Sequence, residues 1–141
     1  MELERYGAAA RGLRRYVWLV ADALGVGPGC CTVQLESPVH AYLPLDDHLP
    51  ALPGSDVALT WDPDSGWMAG IEAGPDVVPL ARLGGDVLPE PADVVEFVRR
   101  FLAGEPHRPA GPPTSSEPLS ERLAAYRPQW TVDISREPLG L

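Results

Sequence analysis

The stretch Asp56–Glu72, DVALTWDPDSGWMAGIE, constrains the fold more than any other part of the chain, because it spells a β-hairpin together with its turn. Val57, Leu59 and Trp61 alternate with polar or small residues, and so do Trp67, Ala69 and Ile71 on the far side. Such alternation puts one apolar row on one face of a strand. Between the two runs lies Asp62-Pro63-Asp64-Ser65-Gly66. Asp and Pro suit the opening positions of a type I turn, and Gly supplies the left-handed residue that follows. Trp61 and Trp67 flank the turn and are expected to meet across the two strands.

The rest of the chain supplies partners for that hairpin. Glu2–Leu24 is expected to be a helix, with Tyr6, Ala10, Leu13, Val17, Val20 and Leu24 on one face and Gly25 as its stop. Its other face carries Arg11, Arg14, Arg15 and Asp22, and Trp18 falls among these charges. Thr32–Ser37 and His40–Asp46 read as strands before the hairpin, with Pro44 marking an edge or bulge in the second. Asp76–Leu83 adds a fifth strand, weakened by Pro79. Pro91-Ala92-Asp93 opens a second helix whose apolar face is Val94, Val95, Phe97, Val98, Phe101 and Leu102, and Gly104 ends it. Residues 105–118 turn to Pro, Gly, Ser and Thr and read as a linker, flexible or extended. Beyond it, Leu119, Leu123 and Tyr126 are spaced for a short helix, and Trp130, Val132 and Ile134 alternate like a strand. This tail is expected to dock, on its own domain over Trp18 or on a neighbour, and not to fold alone.

The fold class expected from this order is α+β. Four to five strands form an antiparallel meander, with an N-terminal and a C-terminal helix packed on one face. Residues 1–104 form the domain, 105–118 the linker, and 119–141 the short helix and extended tail. At 141 residues with 45% hydrophobic content, one domain with an appendage is the natural size.

Charge narrows the partners. The net charge is −9, and between Val26 and Val98 twelve acids face one basic residue, Arg82, for a local net of −11. Nucleic acid requires a basic footprint and is not expected as a partner, nor is an anionic membrane. A basic protein or peptide is. No run reaches the ~20 apolar residues of a membrane span, and Met-Glu-Leu-Glu does not open a secretory signal. A cytoplasmic protein is the expectation. All basic residues other than His are Arg, and the chain has neither Lys nor Asn, which reads as a GC-rich genome. Cys30 and Cys31 are adjacent, so they read as small thiols, since a bridge between neighbours strains the intervening peptide.

Motifs of chemistry are weak. Asp62-x-Asp64-x-Gly66 begins like a calcium loop, but Gly66 sits where a third ligand belongs and Ala73 where the bidentate Glu belongs. Asp46-Asp47-His48 could contribute metal ligands, but neighbours on an extended chain point in opposite directions, so no more than two of the three would converge. Gly25-Val26-Gly27-Pro28-Gly29 follows a helix and lacks the lysine of a phosphate loop. No Ser lies in a Gly-x-Ser-x-Gly context. No catalytic residue, metal site or cofactor is therefore assigned.

The segments Ala41-Tyr42-Leu43-Pro44-Leu45-Asp46, Asp56–Asp62 followed by Gly66-Trp67, and Arg82-Leu83-Gly84-Gly85-Asp86-Val87-Leu88-Pro89 resemble an actinobacterial group of small acidic proteins. This is the domain-of-unknown-function 6292 family, and the resemblance runs from about Tyr16 to Leu102. It implies an actinobacterial cytoplasmic protein and carries over no activity and no site residues.

The leading expectation for function is a non-catalytic binding module, chaperone-like or regulatory and dimeric. It would use Arg14, Arg15, Trp18 and Tyr42, or the acidic sheet face. The alternative is a small-molecule binder or enzyme with a pocket between sheet and helices, lined by His40, Tyr42, Asp46 and His48. A third reading is an immunity or antitoxin-like protein against a basic nuclease.

Overall fold

Apolar residues at three- and four-residue steps wind the first described segment into α1, Ala8–Leu24, in a computed structural model that describes residues 7–111 and 117–126. The expected residues 2–6 of this helix, with Tyr6, lie outside the described residues. Gly25 ends α1 at φ 78°: its own N–H reaches Asp22 O at 3.0 Å and that of Val26 reaches Ala21 O at 2.8 Å. The pair of bonds is a Schellman cap, which needs a left-handed residue at this point. A 3₁₀ turn, Pro28–Cys30, then leads into the sheet.

Five strands follow: β1 Thr32–Gln34, β2 His40–Leu45, β3 Val57–Asp62, β4 Gly66–Ala73 and β5 Asp76–Arg82. They lie in the order β1-β2-β3-β4-β5, and every pair is antiparallel. The meander is the one expected. Its two central rows are in register, with Leu43 opposite Leu59 and Leu59 opposite Ala69, while Trp61 faces Trp67. The turn is tied by Asp62, whose Oδ1 accepts from the N–H of Asp64 at 2.9 Å and of Ser65 at 2.7 Å, and Gly66 sits at φ 70°.

β1 is shorter than the sequence suggests. The Gln34 side-chain amide donates to Glu36 O and Pro38 O, so the residues after it curl back instead of extending the ladder. That shortening also explains Pro44. β1 reaches only as far as Tyr42 on β2, so Pro44 lies past its end, where a missing N–H costs little. Pro79 sits in β5, an edge strand, and the β4–β5 register shifts at Ala69/Gly70. A proline and a bulge are both devices that discourage another strand from adding to an open edge.

α2, Pro91–Leu102, and α1 cover one face of the sheet. Leu13, Tyr16, Val17 and Val20 from α1 and Val94, Phe97 and Val98 from α2 meet Leu43, Leu59, Trp61 and Trp67 in a single buried core. Both indoles are hydrogen-bonded despite full burial. Trp61 Nε1–H donates to Val87 O at 2.7 Å, and Trp67 Nε1–H donates to the Tyr16 hydroxyl at 3.0 Å. The Tyr16 hydroxyl in turn donates to Pro89 O. A buried donor left unpaired would cost about 1–3 kcal/mol, so this chain fixes α1, the hairpin and the 87–89 segment to one another.

The last described element is α3, Leu119–Ala124, which packs on α1. Before it, residues 105–111 do not hang free: Ala110 N–H donates to Leu83 O at 3.1 Å, and the His107 ring meets Phe97 edge-on at 4.9 Å. The expected strand at Trp130, Val132 and Ile134 lies outside the described residues.

Candidate functional site

Alternation within the strands decides which side chains leave the core. On β2, Ala41, Leu43 and Leu45 turn inward, so His40, Tyr42 and Pro44 turn to the opposite face. Register then places Thr32 and Thr60 beside Tyr42, and Met68 beside Thr60. The described helices all lie on the other side, so among the described residues no helix covers this face of the sheet. It is also concave. Thr32 at one edge and the β4–β5 turn, Gly74–Val77, at the other line a single depression of about 520 Å³ with His40, Tyr42, Thr60 and Glu72.

Tyr42 spans the floor of this depression. Its hydroxyl crosses β3 and donates to Glu72 Oε2 on β4 at 2.9 Å. Partial burial, followed by the hydrogen bond and negative charge of Glu72 and the charge of Asp56, pushes the phenol up to about 12. Tyr42 is consequently a neutral donor at physiological pH and no base. His40 Nδ1 lies 3.1 Å from Pro38 O. A carbonyl can only accept, so Nδ1 carries the proton and Nε2 is the acceptor of the neutral ring.

Of the expected pocket residues, the structure brings His40 and Tyr42 together and leaves Asp46 and His48 outside the lining. His48 instead pairs with Asp56, Nε2 to Oδ1 at 3.4 Å, on the surface of the loop before β3. The depression lies on the open face, and the layer between sheet and helices is filled by the core. Glu72 and Thr60 were missed by sequence reasoning. Glu72 is readable as an outward position in the hairpin, but its meeting with Tyr42, one strand removed, depends on sheet twist.

The expected partner residues divide between two sides of the molecule. Trp18 is 44% exposed on α1, with Arg14 exposed beside it. Arg15 is half-buried, and its Nη1 donates to Tyr126 O at 2.9 Å, so it holds the end of α3. Tyr42 is on the sheet's open face, away from all three. The described part of the tail docks beside Arg15 and Tyr16, not over Trp18.

A second hollow of about 550 Å³ lies between α2 and the 83–90 segment, with Phe97, Arg100 and His107 in its wall. Glu96 there is held by Arg99 and Arg100, the latter at 2.8 Å. Among the described residues no three His, Cys, Asp or Glu side chains converge as a metal-binding group. Among them too, no helix is long and apolar enough to cross a membrane.

Fold and site together define a small α+β domain with a meander sheet, one face roofed by helices and the other covered by no described helix. The chain belongs to DUF6292, a family of unknown function, whose profile matches residues 16–100. No curated protein and no solved structure matches it significantly.

Proposed function

We propose that this protein is a non-catalytic interaction module that takes a basic segment of a partner polypeptide against the open face of its sheet. The observation that carries the reading is the concave, helix-free depression in which Tyr42 and Glu72 are joined at 2.9 Å. It sits in a stretch with twelve acidic residues and one basic residue. A guanidinium suits such a place, because it can stack on an aromatic ring while its fork engages a carboxylate. The two carboxylates that line it, Glu72 and Asp76, together with the acidic net charge of the chain, would steer a basic partner in and raise the association rate at low salt. A basic nuclease, as in the antitoxin-like reading, is one partner of this chemistry.

The setting we propose is the cytoplasm of an actinobacterium. The all-arginine composition supports a GC-rich host, and two unpaired thiols, Cys30 and Cys31, suit a reducing compartment. The small-molecule reading is favoured by the depression that holds two of its four expected residues, His40 and Tyr42, and by the hollow beside Phe97 and His107, which uses none of them.

Fluorescence anisotropy with labelled arginine-rich, lysine-rich and acidic peptides tests the proposal at low and high salt. The arginine-rich peptide should bind most tightly, weaken as salt rises, and lose about tenfold in affinity with Glu72→Gln, the loss of one charged contact. Equal binding of the acidic peptide, or none at low salt, would refute it.

A further inference from the structure

α3 spans six residues, Leu119–Ala124. An isolated helix needs roughly 12–15 residues to be even marginal in water, so α3 takes its shape from the surface it lies on. That surface is a groove between α1 and the loop that leads into α2. Leu123 is completely buried in it, and the Leu123 carbonyl lies so close to Gly12 that an added Cβ would stand 1.7 Å from the oxygen. Arg122 forks onto Asp86 with contacts of 2.7 and 2.9 Å. Tyr126 sets its ring edge-on to Tyr16 at 5.3 Å.

These anchors are of the kind a receptor offers a ligand: a floor without a side chain, a carboxylate at the rim and an aromatic wall. The occupant reaches them through a Pro-, Gly- and Ser-rich connection; it and the Gly12 floor lie outside the residues that match the family, and Tyr16 and Asp86 lie within them. We propose that this groove is a helix-binding site and that α3 is its resident, displaceable ligand. Its exchange partner is an amphipathic helix of another polypeptide that presents Arg and Leu side by side and an aromatic ring three residues on. A tether gives α3 an effective concentration on the order of millimolar. A second copy of this chain offers the same short helix without that advantage, so at micromolar concentration it cannot compete. A longer helix loses less on folding and can. The carboxylate of Asp86 selects for the arginine.

The test uses the full chain with Arg122→Glu and Leu123→Asp, which disables its own α3. The probe is a fluorescein-labelled peptide carrying Leu119–Tyr126, extended with alanine-rich turns to about 20 residues so that it is helical. The variant should bind the peptide saturably, and the wild-type chain at least about tenfold more weakly, because its own α3 competes. Adding Asp86→Arg to the variant should abolish binding, and a peptide with R122E should restore it. Absence of saturable binding to a variant that keeps the near-ultraviolet signal of Trp61 and Trp67 would overturn the proposal, as would equal binding by wild type. Should that variant fail to fold, hydrogen exchange on the wild-type chain decides. Amides of α3 should exchange through a local opening well before those of β3 and β4, and exchange only with global unfolding would make α3 a fixed part of the core.

Discussion

Gly12→Ala sets two effects of known sign against each other. In an exposed or featureless helix, alanine in place of glycine stabilises by about 1 kcal/mol. Here the new methyl would stand 1.7 Å from the Leu123 carbonyl oxygen, and the obstacle is backbone, so no rotamer change relieves it. α3 must withdraw. Withdrawal uncovers Leu123, which is fully buried, at a cost of about 1.5–3 kcal/mol. It also gives up part of the Tyr126 contact and the Arg122–Asp86 pair. That pair is partly exposed, with side chains 20% and 42% accessible, so it adds less than about 1 kcal/mol. Docking loses more than the helix gains, and the net effect is a destabilisation of about 0.5–3 kcal/mol. Urea unfolding followed by tryptophan fluorescence measures the net, and hydrogen exchange of residues 119–124 locates it. The variant should unfold at lower urea and lose protection in α3 while α1 keeps its own. A chain stabilised by about 1 kcal/mol, with α3 still protected, would show that the propensity of α1 decides and that the close approach is unimportant.

Further outcomes follow from the same contacts. Tyr16→Phe removes the hydroxyl between Trp67 Nε1–H and Pro89 O, and should destabilise by about 1–3 kcal/mol, read from the urea midpoint. Arg122 beside Asp86, through its hydrogen bond first, holds that carboxyl below the usual carboxylate range. Its contribution is therefore present above the ordinary aspartate value near ~3.9 and lost as pH falls through the lowered one. Protection of α3 should weaken over that acid window, and Asp86→Asn should remove the pH dependence. Tyr42 should titrate at about 12 in the ultraviolet, and Glu72→Gln should bring it only part of the way back, because burial is the larger cause. Since the folded chain holds that proton more tightly, stability present below the ordinary tyrosine value of ~10 is lost as pH rises through 12.

What the sequence disclosed was local. The Asp62–Gly66 turn and the alternation around it carry their own geometry, so the Trp61–Trp67 register was readable, and so was the outward placement of Tyr42. Trp18 could be placed on the exposed side of α1 from its angle alone. The contacts that were not readable join residues far apart in the chain. Nothing near Gly12 announces that a carbonyl 111 residues later will rest against it. Pro44 signalled an edge, yet β2 is an interior strand, and only the early end of β1 reconciles the two. Asp46 and His48 stand near His40 in the sequence, but they do not join it in the depression. Asp46 falls just past the end of β2 and outside the depression, and the loop turns His48 toward Asp56. Tyr42 found its partner in Glu72 instead, through sheet curvature that residue alternation does not encode.

The most direct measurement is a titration of the isotope-labelled full chain with an arginine-rich peptide at low salt, followed by amide chemical shifts. If the open acidic face is the docking surface, the shifts should concentrate at Thr32, His40, Tyr42, Thr60 and Glu72 and fade as salt is added. Shifts gathered instead on the outer surfaces of α1 and α2, or none at all, would contradict the assignment.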